Sequence, residues 1–242
     1  MESRIAVSLQ AVRQRIATSE QQYGRVPGAV QLLAVSKTRG ARDVLAAYMA
    51  GQSAFAENYL QEALDKMAAL ADLPLHWHFI GPIQSNKTRA LATHFDWVHT
   101  VDRAKIAQRL AAQRPAERPP LNVLLQVNLS GEASKAGVDL TALPALADTV
   151  ASLPRLALRG LMAIPAPTDE PNAQRAAFRQ LAQARNTLLQ AGHADCIELS
   201  MGMSVDMDAA IAEGATLVRI GTDIFGARDY APPGTTAITP SH

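Results

Sequence analysis

The residue types that could do chemistry cluster in a few short segments. One apolar run closes on Ser36-Lys37 and another on Glu57-Asn58. Small, hydroxyl-bearing residues gather at Ser200 to Ser204 and at Gly221-Thr222, and Arg219 stands inside the apolar run Leu217-Val218-Arg219-Ile220. A lysine whose ammonium loses hydration in apolar surroundings falls in pKa, and its free amine can condense with an aldehyde to give a Schiff base. Glycines let backbone N–H groups approach phosphate oxygens, and Ser204 is placed to N-cap a helix running through Ala210, exposing that helix's positive end. On their own, both small-residue segments equally suit an ordinary serine cap and tight turns. A charge on an apolar strand is costly unless it meets a partner. For Arg219 that partner is either a ligand acceptor or a buried carboxylate such as Glu198 or Glu57.

The elements that must position these residues follow an alternating pattern, short β-rich runs separated by longer alanine- and leucine-rich segments, as in βα units around a parallel sheet. Eight runs are expected: Leu32 to Lys37, Ala54 to Asn58, His76 to Gly81, Trp97 to Val101, Val123 to Asn128, Leu158 to Ile164, Ile197 to Met201 and Leu217 to Ile220. Asp65 to Leu70 extends an apolar stripe begun by Leu60 and Leu64, and Gly51 and Gly214 fall where helix C-caps belong. The dinucleotide fingerprint of an open doubly wound sheet is missing, and the length is near the roughly 250 residues of a closed barrel. The expected fold is therefore α/β, a single (β/α)8 barrel. Barrels of this kind work at the C-terminal ends of their strands and commonly hold phosphate after strands seven and eight. Closure makes strand one the neighbour of strand eight, so Lys37 should stand beside Ser204, Gly221 and Thr222. A lysine facing a phosphate site is the arrangement that pyridoxal 5'-phosphate (PLP) requires. A lysine that only contacts phosphate or a carboxylate is the plainer reading. If Arg219 donated to the pyridine nitrogen, that nitrogen would have to stay unprotonated, because arginine has donors and no acceptor. The ring would then be a weak electron sink, suited to storage or to narrow racemase-type chemistry.

Other classes find little support. His76 and His78 face one side of a strand, but Trp77 lies between them and no cysteine or carboxylate stands at ligand spacing, so packing and hydrogen bonding are their expected roles. Lys87 and Lys135 sit in polar contexts and are expected to be solvated. No nucleophile-elbow, Walker or zincin motif occurs. A net charge of +1 argues against nucleic acid and anionic membrane. Residues 1–22 place Ile5, Leu9, Val12 and Ile16 on one face of an amphipathic surface helix, unlike a signal peptide. No stretch is long enough to span a membrane. The single cysteine, Cys196, fits a reducing compartment, so a cytoplasmic location is expected. The barrel is expected over residues 1–230, with a loose tail over 231–242.

The motifs Ala34-Val35-Ser36-Lys37-Thr38, Glu57-Asn58-Tyr59, His76 to Gly81, Gln84-Ser85-Asn86-Lys87, Gly160 to Pro165, Ser200-Met201-Gly202-Met203-Ser204 and Val218 to Thr222 together resemble the pyridoxal phosphate homeostasis protein family. The resemblance runs from the first strand to Gly226-Ala227-Arg228-Asp229-Tyr230. It implies a fold-type III PLP protein like the barrel domain of alanine racemase. Lys37 would form the Schiff base, Arg219 would face the pyridine nitrogen, and Asn58 would line the ring. Ser204, Gly221 and Thr222 would lie against the phosphate, with Met201 and Gly202 in the same loop. Three positions depart from the family pattern: Ala56, Val205 and Asp223. A carboxylate at 223 facing the phosphate would repel it, so Asp223 is expected to point outward.

The resemblance also implies a carrier or regulator of PLP without an established reaction, with PLP-dependent apo-enzymes as candidate recipients and a monomer as the expected state. A racemase of low activity is the alternative. Racemisation by two bases needs a second acid/base on the opposite ring face, which alanine racemase takes from an added β-domain. Here only a short tail follows strand eight, and no strand-end tyrosine or histidine offers itself. A lysine Schiff-base aldolase is a third class, but strand six offers no second acid or lysine.

Overall fold

The computed structural model describes residues 3–130 and 136–227. Eight strands, β1 (Gln31–Val35), β2 (Ala54–Glu57), β3 (His76–Phe79), β4 (Trp97–Val101), β5 (Leu121–Gln126), β6 (Leu156–Met162), β7 (Glu198–Ser200) and β8 (Leu217–Ile220), form a closed barrel in sequence order. Every neighbouring pair is parallel, including β1 with β8, where Leu33 pairs with Arg219 and Ala34 with Ile220. The helices are α1 (Arg4–Gln22), α2 (Ala41–Met49), α3 (Leu60–Ala69), α4 (Thr88–His94), α5 (Ala104–Gln113), α6 (Leu143–Ala151), α7 (Pro171–Gln190), α8 (Met207–Ala212) and α9 (Thr222–Phe225). A 3-10 turn over Ser85–Lys87 leads into α4.

All eight expected runs are strands, but most stop short of the expected C-terminal ends. Ser36, Lys37, Asn58, Gly81, Asn128 and Met201 lie just past their strands. Chemistry-bearing residues favour this position because a strand residue inside a closed barrel is packed by its neighbours, whereas the first loop residue can face the mouth. Gly51 and Gly214 follow the last residues of α2 and α8 with φ of 83° and 100°, the left-handed stop that glycine takes without a Cβ clash.

The strand alternation separates two cores. Outward side chains such as Ala34, Phe55, Val98, Leu125, Leu161 and Val218 pack under the helices. Inward ones, Leu33, Val35, Ala54, Ala56, Leu124, Met162 and Leu217, fill the barrel with Ile80. Each buried aliphatic side chain contributes about 1.5–3 kcal/mol by leaving water. The N-terminal helix α1 buries Leu9, Val12 and Ile16 as its spacing predicts. It is more than a surface helix, because Glu20, expected on its polar face, is only 4% exposed. Its carboxylate accepts the N–H groups of Gly28 (3.0 Å) and Val30 (2.8 Å) at the entry to β1. Among the described residues no helix is long and apolar enough to cross a membrane.

The expected tail at 231–242, Lys135 and the segment Arg228-Asp229-Tyr230 lie outside the described residues.

Candidate cofactor site

At the mouth of the barrel, between the ends of β1 and β8, a small cavity of about 50 Å³ is lined by Val35, Lys37, Thr38, Gly221, Thr222 and Phe225. Closure brings together residues more than 180 positions apart in the chain. Two larger grooves lie elsewhere, one between α1 and α2 and one at the opposite end of the barrel near Gly28 and Gln52, and a third adjoins the mouth, lined by Thr38, Arg39, Glu62, Asp65 and Lys66. Size therefore does not mark the site here.

Lys37 is half-buried and is followed by a turn. Thr38 has φ 63°, a left-handed conformation that is an outlier for a β-branched residue and costs about 1–3 kcal/mol. Four hydrogen bonds hold the turn. The Thr38 N–H donates to Glu62 Oε2 (2.8 Å), the Arg39 N–H donates to the Ser36 carbonyl (3.0 Å), and the Arg39 guanidinium donates to the carbonyls of Gly226 (2.7 Å) and Ala227 (2.8 Å) beyond α9.

Asn58 follows β2, and its Oδ1 is buried without a hydrogen-bond partner. A buried acceptor left open is costly and suits a site completed by a ligand. Gly81 presses against the Asn58 carbonyl so closely that a Cβ there would lie 2.1 Å from the oxygen. Tyr59, the tyrosine next to this strand end, is 51% exposed.

Met201 and Gly202 are buried after β7. Gly202 has φ 94°, and its carbonyl accepts the Arg219 N–H (3.0 Å), which locks this loop to β8. Ser204 lies in the following turn but is not the N-cap expected for α8. Asp206 takes that position, and its Oδ1 accepts the Met203 N–H (2.6 Å), so the chain closes a turn before the helix begins at Met207. Ser200 belongs with the barrel interior rather than with this loop, being fully buried on β7. Asp223, the acidic departure beside Thr222, is engaged by Arg15 from α1 at 2.8 Å, and the same arginine donates to the Ser204 carbonyl (3.2 Å).

Arg219 is 4% exposed, and neither of the carboxylates expected as partners pairs with it. Glu198 accepts from Thr216, while Glu57 is bound by Ser36 and Lys66. Arg219 instead donates to Ser200 Oγ (2.8 Å) and to the Ala163 carbonyl (3.1 Å). Burial pulls its guanidinium down to about 10, with Asp206 opposing, so it remains a cation near neutrality. Ser200 Oγ lies 2.9 Å from His99 Nδ1, and His99 Nε2 lies 3.0 Å from His78 Nδ1. Because arginine only donates, Ser200 must accept from it, and its own O–H can donate a hydrogen bond to His99. Burial is the main reason that the His99 imidazole sits well below its ordinary range and His78 at about 3. A neutral imidazole chain thus backs the buried Arg219 guanidinium. His78 stacks on Trp97, with centroids 5.4 Å apart, and the roles expected for it, packing and hydrogen bonding, are those it plays.

Two groups outside the expected set matter. Lys66 of α3 is 5% exposed, and its ammonium donates to the Ser36 carbonyl and to Glu57 Oε1, each at 2.6 Å. The available signal was a lysine between Ala63 and Met67 on the apolar stripe of α3, a place where surface lysines do not belong. His99 gave no signal of its own, because its partner Ser200 lies on a strand 101 residues away.

The comparisons agree with this geometry. A family model, the alanine racemase N-terminal domain, matches residues 7–229. The chain is 62% identical over 231 residues to a pyridoxal phosphate homeostasis protein of Pseudomonas aeruginosa, covering 96% of this chain and 99% of the other. It is 55% identical over 231 residues to the protein of the same description in Escherichia coli K12, covering 94% and 98%. The solved structure of PipY of Synechococcus elongatus PCC7942 with PLP bound superposes with a TM-score of 0.81 at 39% identity, covering 92% of this chain and all of that one. Closed barrel, strand-end lysine and small-residue loops on adjoining strands thus accompany close likeness over nearly the whole length, and the chain belongs to the pyridoxal phosphate homeostasis protein family.

Proposed function

We propose that this protein holds PLP covalently at Lys37 and carries or buffers it within the cytoplasm, as a monomer, without efficient catalysis of its own. The barrel over residues 1–230 is the carrier unit. The observation that carries this reading is the cavity shared by Lys37, Gly221 and Thr222, an amine and a phosphate-type cradle placed side by side by barrel closure. PLP, when bound, supplies an aldehyde that condenses with amines. The residues present suit it. The N–H groups that open α9 have no acceptors within the helix, and together with the Thr222 and Ser204 hydroxyls they would hold the phosphate. Met201 and Gly202 would shape that side of the pocket. Asn58 would line the ring with its open Oδ1. Arg219 would face the pyridine nitrogen as a donor, keep that nitrogen unprotonated and so restrain carbanion chemistry. Asp223 is held by Arg15 and does not stand as a free charge beside the phosphate. PLP-dependent apo-enzymes are the proposed recipients.

The test is an absorbance spectrum of the purified protein with added PLP, for wild type and Lys37→Ala, before and after borohydride. Wild type is expected to show a band near ~420 nm, as general PLP chemistry gives for a lysine adduct, that borohydride removes and Lys37→Ala lacks. No band in either protein would refute PLP attachment, and robust Lys37-dependent racemisation of a common amino acid would overturn the non-catalytic reading.

A further inference from the structure

A second set of residues sits directly behind Lys37, and all of it belongs to β2 and α3. Glu57 closes β2 with its carboxylate fully buried. Its Oε1 accepts from Ser36 Oγ at 2.5 Å and from Lys66 Nζ at 2.6 Å, while its Oε2 is buried with no hydrogen-bond partner. Lys66 also donates to the Ser36 carbonyl, so Ser36 is gripped at both its side chain and its main chain. On the other flank of Lys37, the Thr38 N–H is held by Glu62, which precedes Lys66 by about one turn of α3. The same helix therefore holds the residue before Lys37 and the residue after it, and the residue after it carries the left-handed backbone.

A buried ion pair is a poor device for stability alone, because the desolvation of two charges offsets their attraction and apolar replacements of equal volume are often neutral or better. This pair even leaves one carboxylate oxygen open. Its contacts converge on Ser36, the residue whose carbonyl and hydroxyl fix the direction in which the chain delivers the next side chain. Resting on the reading that Lys37 carries PLP, we infer that Lys66, Glu57 and Glu62 are positioning residues that hold the strained turn and aim the Lys37 amine at the carbonyl carbon of an incoming aldehyde. Capture joins Lys37 Nζ to that carbon and releases the aldehyde oxygen as water, so its rate depends on where the amine stands before contact.

The experiment separates aim from fit. Pyridoxine 5'-phosphate has the same ring and phosphate but an alcohol in place of the aldehyde, so it reports the pocket without the covalent step. The double variant Lys66→Met/Glu57→Gln removes the pair without leaving a lone buried charge. It is expected to bind pyridoxine 5'-phosphate within about twofold of wild type, while its stopped-flow rate of PLP capture falls by about tenfold or more. Glu62→Ala, which releases only the Thr38 N–H at the surface, is expected to show the same split to a smaller degree and decides the matter should the double variant fail to fold. Capture at the wild-type rate in these variants, or a parallel fall in capture and in pyridoxine 5'-phosphate affinity, would overturn the positioning role. Absence of capture by wild type would instead refute the attachment of PLP at Lys37.

Discussion

Arg219 keeps its positive charge inside the barrel on a serine hydroxyl and a backbone carbonyl, with no carboxylate paired to it among the described residues. Such a charge is costly to bury unless something further meets it, and a ring nitrogen acceptor from a cofactor would do so. Glu57 shows the complementary choice. Burial holds its carboxyl above the usual range even against the pull of Lys66, and one of its oxygens has no hydrogen-bond partner. Cys196 is a simpler case. Burial pushes its thiol up to about 11, only partly opposed by Arg185, and the thiolate is the species that reacts. Native protein at about pH 8 is therefore expected to resist alkylation by iodoacetamide, with reaction at the normal thiol rate only after unfolding in guanidinium. Rapid labelling of the native protein would show that this part of the barrel opens.

Element ends decide how the loops at the mouth are held. The β7–α8 connection depends on Gly202, whose left-handed φ of 94° no other residue accepts cheaply. A Cβ there would stand 2.6 Å from Ala210 Cβ, on the helix that follows. Gly202→Ala is expected to cost about 1–3 kcal/mol by overpacking and backbone strain, read as a lower denaturant midpoint at constant m-value. Because the Gly202 carbonyl accepts from Arg219, the same variant should also weaken PLP binding. Glycine caps such as Gly51 and Gly214 were legible from the sequence, since few other residues stop a helix that way. The capping serine was not. Ser204 and Asp206 are both good cap residues two positions apart, and only the turn closed by the Met203 N–H onto Asp206 selects between them. Glu20 illustrates the same limit, since a carboxylate on an amphipathic helix reads as solvated until the returning chain presents the amides of Gly28 and Val30.

At the scale of the whole molecule, closure of the barrel creates a polar interior. His78 and His99 are buried and neutral, with folded pKa values below the ordinary 6.5. A depressed pKa contributes stability that is fully present above the unfolded value and is lost as pH falls below it, because the unfolded imidazoles take up protons that the folded ones refuse. Between about pH 6.5 and about pH 5 each histidine should cost roughly 2 kcal/mol of unfolding free energy. Urea unfolding across that range checks this. His99→Gln should flatten the slope, and a wild-type stability independent of pH there would refute the buried-neutral assignment. The number and order of strands could be read from the sequence, because a parallel strand buried on both faces is a short apolar run and each βα unit repeats the signal. The residues at the strand ends could be read as well, since polar and glycine residues interrupt those runs where the chain leaves the sheet. What only the tertiary structure decided is which of them meet. Arg219 could have paired with Glu198 or Glu57, and it is the register of β8 against β1 and the inward side of β7 that give it Ser200 and a histidine chain instead. Lys66 read as part of an apolar helix stripe, and it became the anchor of Ser36 only when α3 packed behind β1 and β2. Local propensity and periodicity are short-range quantities written residue by residue, whereas partners more than a hundred positions apart are fixed by register, closure and packing.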